Sequence, residues 1–218
     1  MDTIGFDHIH AYLQQNPDRI RRHLSTYFGP YVAPTARGQN DQGYTGRYFE
    51  YYAARSDPWR ISGDDIAAAT TLSVTFDRHL VASLAQAAGE LEGLLALAPH
   101  PTVPIWEVPR STFDDDSPLS RLYSRLRGIF QIGPAFASKL LAAKRPDLIP
   151  IRDDLVWRIM GEPERWWCLW HDLLYGSAGA GLRGLTVELS KDLVPEPVSL
   201  LRRLDVVLWM EANDPSDP

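Results

Sequence analysis

The chain has 218 residues, 44% hydrophobic and 23% charged, and a net charge of −6. Those proportions exclude a wholly disordered chain and leave room for a sizeable core. The acidic balance argues against holding nucleic acid by bulk charge, so any such contact has to run through a local basic patch. With one cysteine, Cys168, no internal disulfide can form, which fits a reducing cytoplasm. No apolar run approaches the roughly 20 residues of a membrane helix, and the N-terminal MDTIGFDHIHAYLQQ lacks a basic-then-apolar leader. A cytoplasmic protein with no membrane contact is expected. Only three of the 22 basic residues are lysines, and Ala is abundant, which suggests a bacterial source with a GC-rich genome.

Residues 7 to 28 read as one or two helices, with Asn16 as cap, Pro17 in the first turn, and Ile20, Leu24, Tyr27 and Phe28 on one face. Residues 29 to 46 are dense in Gly, Pro and polar side chains and read as a long loop. The next stretch, 48 to 60, sets four aromatics into five positions among Arg47, Arg55 and Arg60. Such interleaving can stack bases and hold phosphates; it can equally fill a core while the arginines stay wet. Ser62 followed by Asp64 and Asp65 is a capping signal. From there to Leu97 the pattern predicts two Ala- and Leu-rich helices, the second capped near Asp77.

The Pro-rich stretch 98 to 117 reads as a connection, with Trp106 as the residue expected to pin it down. Asp114, Asp115 and Asp116 precede a helix start at Ser117-Pro118 and read as a solvated acidic patch rather than a metal site. A helix with Leu119, Leu122, Leu126 and Ile129 on one side follows. Beyond 160, a Trp-rich helix at 164 to 175 leads into GSAGAGLRG, read as a flexible turn region. No strand precedes those glycines and no Lys-Ser or Lys-Thr follows, so they do not form a nucleotide loop. A helix around 198 to 210 and a polar tail at 213 to 218 end the chain. Alternating patterns are absent, so the class is mainly α: two helical subdomains, 1–97 and 118–212, with a cleft between them.

The chemistry concentrates in Ile129 to Ile159. Gly133 and Pro134 make a tight turn into a helix over 135 to 143 that buries Phe136, Leu140 and Leu141 and offers Lys139 and Lys144 to solvent. Leu148 to Ile151 then runs extended, and Asp153 or Asp154 caps the next helix. Basic clusters lie at Arg19-Arg21-Arg22, Arg121-Arg125-Arg127 and Lys139-Lys144-Arg145. Two other arrangements carry less. His8 and His10 lack a second ligand pair for zinc. Cys168 and His171 share a helix face, but a buried thiol among tryptophans is the simpler reading.

The order Ile132-Gly133, helix, Pro150-Ile151, Asp153 and Val156 resembles the core of helix-hairpin-helix DNA base-excision glycosylases over residues 118 to 160. Phrases such as ASKLLAAKRPDLIPIRDDLV and LRRLDVVLWM are also similar to an uncharacterised bacterial family with this hairpin-plus-aspartate pattern. The resemblance implies a hairpin whose backbone amides approach a phosphate and, in Asp153, a carboxylate that stabilises charge developing on the sugar as a base leaves. It implies DNA contacts at Gln131, Gly133, Lys139, Lys144, Arg145 and Arg152, and a base pocket involving Tyr48, Tyr52, Trp59 and Asp154. Neither metal nor cofactor is implied. Gln131 stands at the first glycine of the family hairpin and Phe130 at its proline. Ala135 stands where bifunctional members carry a Schiff-base lysine, so only a monofunctional hydrolase is in view. The alternative is a non-enzymatic member of the same fold that binds nucleic acid or protein.

Overall fold

The computed structural model describes residues 3–35 and 39–213; the polar tail beyond Asn213 lies outside the described residues. Among them are eleven α-helices, three short 3-10 turns and an isolated bridge between Val32 and Gln42, with no strand. The mainly α class expected from the pattern is what forms.

Local sequence explains most boundaries. Helices α1 (Ile9–Gln15) and α2 (Pro17–Tyr27) meet at Asn16. The Asn16 amide does not cap α2; it donates to the Tyr12 carbonyl at 2.9 Å and so closes α1. After the 3-10 turn Thr45–Tyr48 comes α3 (Phe49–Ala53). Helix α4 (Gly63–Thr71) opens with the expected capping box, Ser62 and Asp65 bonding each other's backbone amides. Helix α5 (Arg78–Leu97) opens on Asp77, which accepts from the amides of His79 and Leu80. Its 20 residues are long and apolar enough to cross a membrane by length and composition, contrary to the expectation that no such run exists. Here Leu80, Leu84, Ala87, Leu91 and Leu95 form one stripe that turns into the core.

Helix α6 (Pro118–Arg127) is capped by Ser117, and α7 (Pro134–Lys144) follows a six-residue turn. Then come α8 (Asp154–Ile159), α9 (Trp166–Leu174), α10 (Gly176–Ser190) and α11 (Leu200–Ala212). The glycine-rich stretch 176–184 is therefore helical, not a flexible turn. Gly176 takes the left-handed backbone (φ 67°) that separates α9 from α10, and Gly179 lets α10 sit against the end of α9. A Cβ at Gly179 would lie 2.2 Å from the backbone of Leu174.

One apolar cluster takes in residues from Ile9 to Met210, so the two parts expected from the sequence share a core. The Pro-rich stretch between them is packed. Ile105 is fully buried and donates to the Asp147 carbonyl at 2.8 Å, and Arg183 stacks on Trp106 at 4.9 Å.

Charge is enclosed in this core. Lys144 and Asp65 are both without solvent exposure, 2.5 Å apart, and join α7 to α4. The ammonium also donates to Ser56 Oγ at 2.5 Å and the Asp57 carbonyl at 2.7 Å. Arg145 donates to the carbonyls of Leu95, Pro99 and Pro58, with its guanidinium over Trp59 at 5.0 Å.

Two stability measurements follow from this packing. Lys144→Met strands the Asp65 carboxylate, and urea unfolding should show a loss of about 3–5 kcal/mol; Lys144→Met with Asp65→Asn should recover part of it. Gly179→Ala, forced against backbone, should cost about 1–3 kcal/mol, whereas Gly93→Ala, with open space around it, should not destabilise.

Candidate functional site

A cavity of about 350 Å³ opens where the end of α2, the N-terminal half of α7, the cap of α8, one face of α11 and the 44–46 and 71–73 segments converge. Its walls carry three aromatic rings and two ion pairs. Tyr27 and Tyr44 stack at 5.1 Å with an 11° interplanar angle, and Trp209 stands edge-on to both, at 6.1 and 5.6 Å.

Asp153 is in the cavity wall with its two oxygens divided between two tasks. Oδ1 accepts from the Leu155 amide at 3.1 Å and caps α8; Oδ2 lies 3.3 Å from Lys139 Nζ. The carboxylate keeps 21% side-chain exposure. Lys139 also donates to the Leu72 carbonyl, at 2.9 Å, at the C-terminal end of α4. Ala135, one turn before Lys139, lines the same wall.

Behind this pair lies Arg202. It pairs with Asp205 on its own helix, donates to the Tyr27 hydroxyl and to the Gly46 carbonyl, and approaches Glu50 at 3.5 Å. Burial works against its charge, yet Tyr27, Asp205 and Glu50 together hold the guanidinium above the ordinary arginine range. Burial pushes the Asp205 carboxyl up to about 6; Arg202 pulls against that rise and Asp153 adds to it. Burial likewise raises Glu50, with Arg202 opposing, and raises the Tyr27 phenol.

A small void of about 10 Å³ adjoins the network, lined by Glu50, Arg202 and Asp205 among apolar neighbours. Both Glu50 oxygens, Arg202 Nε and Asp205 Oδ1 are buried with no hydrogen-bond partner. The 3.5 Å approach of Arg202 to Glu50 is thus an ion contact without hydrogen-bond geometry. The void has about the room one water needs, roughly 10–15 Å³.

The residues expected from sequence divide. Asp153, Lys139 and the rim residue Asp154 come together at the cavity. Lys144 and Arg145, expected at the surface, are 1% and 0% exposed, their donors held by Asp65 and by carbonyls; neither can reach a phosphate. Lys139, expected in solvent, is 7% exposed and faces the cavity. Arg152 pairs with Asp154 at 3.2 Å and lies over Trp157 at 4.5 Å. Tyr48 and Tyr52 line a separate hollow, and Trp59 sits between Arg145 and His100, so these three are not in the cavity.

In the turn between α6 and α7 the left-handed residue is Gln131 (φ 71°), not Gly133, whose backbone is extended (φ −82°, ψ 178°). Gln131 Nε2 donates to Asp77 Oδ2 at 3.2 Å. Space around Gly133 is open. Of the aromatics at 48 to 52 only Phe49 is a core residue. Cys168 is buried near the Phe113 carbonyl and His171 bonds the Val108 carbonyl, so the two do not form a pair. Among the described residues no group of three or more His, Cys, Asp or Glu could hold a metal.

Sequence reasoning missed Tyr27, Tyr44, Glu50, Arg202, Asp205 and Trp209. The signal was there in part: Arg202, Arg203 and Asp205 interrupt the otherwise apolar run LLRRLDVVLWM, and Arg202 and Asp205, three apart, share a helix face. Charges on the buried face of a helix require partners.

An acid whose folded-state pKa is raised keeps its proton longer folded than unfolded, so stability falls as pH rises from about 4 through about 6. Glu50 acts in the same sense. Urea unfolding at pH 4.5, 5.5 and 6.5 should therefore show a falling limb on the order of 1–3 kcal/mol, flattened in Asp205→Asn.

No curated protein and no solved structure matches this chain. One family model does, over residues 20–212, a span that includes every side chain of the cavity wall named above. The chain belongs to that family, the family of unknown function DUF6308.

Proposed function

We propose that this protein is a nucleic-acid-binding, glycosylase-like hydrolase of monofunctional type that receives an unstacked base in the cavity beside Asp153. The observation that carries this reading is the division of the Asp153 carboxylate between the α8 cap and Lys139, in the wall of a chamber with three aromatic side chains. A volume of about 350 Å³ lies at the low end of the roughly 300–1,000 Å³ usual for small-ligand sites. A flipped base would meet rings on which to stack, and its sugar would approach Asp153.

In this reading Asp153 stabilises positive charge developing on the sugar and orients the attacking water. Lys139 holds the carboxylate in place and keeps a cation in the wall. The Gln131 backbone has the left-handed form that a glycine supplies in the hairpin that the sequence resembles, and Gly133 leaves the approach to α7 open. Both support a phosphate contact at the turn. Ala135 has no amine, which speaks against a Schiff-base route.

Binding of a labelled oligonucleotide should weaken as salt rises, with Gly133→Arg binding less tightly. If no salt-sensitive binding occurs, the reading fails. Given binding, base release from oligonucleotides carrying modified bases should fall roughly 10²–10⁴-fold in Asp153→Asn while affinity stays within a few-fold. Binding without base release in the wild type would leave a non-enzymatic member of the fold.

A further inference from the structure

The exposed tyrosines beside the cavity take no part in the chemistry above. Tyr48, ending the 3-10 turn, and Tyr51, on α3, are 39% and 56% exposed. Phe49 and Glu50 between them are buried, so this segment sends its apolar ring and its carboxylate inward and its tyrosines outward. Each exposed ring carries a guanidinium. Arg47 lies over Tyr48 and Arg55 over Tyr51, both at 5.5 Å; Arg47 Nη1 donates to the Gly29 carbonyl, Tyr31 stands edge-on to Tyr48 at 6.0 Å, and Arg55 Nη1 donates to the Tyr51 hydroxyl at 3.4 Å. Tyr52 stands edge-on to Tyr51 at 5.2 Å.

These rings and three threonines wall an open hollow of about 390 Å³. The threonine hydroxyls turn to backbone carbonyls: Thr45 to Thr71, Thr70 to Ile66, and Thr71 to Ala68. Methyls and ring carbons therefore make the surface. Thr45 and Thr71 also line the central cavity, so hollow and cavity share a wall.

We infer that this face binds a segment of single-stranded nucleic acid, its bases stacked on Tyr48 and Tyr51 and its phosphates met by Arg55. Every base has a flat apolar face, and a hollow of rings and methyls accepts it without regard to sequence. Charge on the rim has the matching sign. The Arg55 side chain is 60% exposed with its nearest carboxylate, Asp64, 4.0 Å away, and the only acid on α3, Glu50, is buried. An unpaired strand fits where a duplex does not, because a duplex keeps its ring faces inside its own stack. The shared wall lets a strand on the tyrosines continue towards the chamber. This assignment deepens the nucleic-acid reading above and rests on it.

The test is fluorescence anisotropy of a labelled oligothymidylate of about twelve nucleotides, and of a duplex of equal length, at two salt concentrations. Wild type should prefer the single strand. Tyr48→Ala/Tyr51→Ala should bind it about tenfold or more weakly, and Tyr48→Phe/Tyr51→Phe should keep most of the affinity. Circular dichroism checks that the exposed substitutions fold. If the alanine pair binds like wild type while binding stays salt-sensitive, this assignment falls and the cavity reading stands. Equal affinity for duplex also overturns it. If wild type binds no oligonucleotide, both readings fall. Self-association of the wild type that the alanine pair abolishes, with oligonucleotide binding unchanged, would give the face to a second copy of the chain and overturn the assignment.

Discussion

An ammonium and a carboxylate shut away from solvent, Lys144 and Asp65, set the relation of α7 to α4. Removing both charges from water is expensive; Ser56 and Ser62 donate to Asp65 Oδ2 and the Asp57 carbonyl accepts from Lys144, while Asp65 Oδ1 is buried without a hydrogen-bond partner. Arg145 extends the same clamp to the end of α5 and to the 57–59 turn. The candidate site depends on this. Lys139 precedes Lys144 by five residues, which on an α-helix turns its side chain about 140° away. Anchoring one face of α7 through Lys144 thus aims Lys139 at Asp153.

The site itself is a second enclosed charge system with a different balance. Three carboxyls, Glu50, Asp153 and Asp205, face two cations, Lys139 and Arg202. Desolvation and carboxyl crowding both favour a proton on Glu50 or Asp205, and their raised proton affinities express this. The aromatic side of the chamber is fixed by the same residue: Arg202 bonds the Tyr27 hydroxyl and lies over its ring, and Tyr27 in turn holds Tyr44 and Trp209.

Local rules made much of the fold legible. The caps at Ser62, Asp77 and Ser117 and the prolines at 17, 118 and 134 act within a few residues, and the helices begin where they say. The glycine run at 176–184 misled because glycine weakens a helix only until close packing offsets it, and Gly179 is such a contact. The place of Asp153 at a helix cap was legible because its motif is short. Its surroundings were not, since Tyr27, Tyr44, Arg202 and Trp209 come from segments distant in sequence. Lys144 and Arg145 read as surface because lysine and arginine usually are, and only tertiary partners keep them inside.

The partners of Arg202 carry one more consequence, for the order in which the molecule is made. Glu50 and Tyr27 are synthesised long before α11, and Asp153 and Lys139 before it too. Until α11 emerges from the ribosome and docks, the floor of the chamber is missing and Glu50 has no buried cation to face. The chamber therefore cannot close before α11 has docked against α2 and α8. Nascent chains stalled before α11 contain Asp153 without a pocket around it.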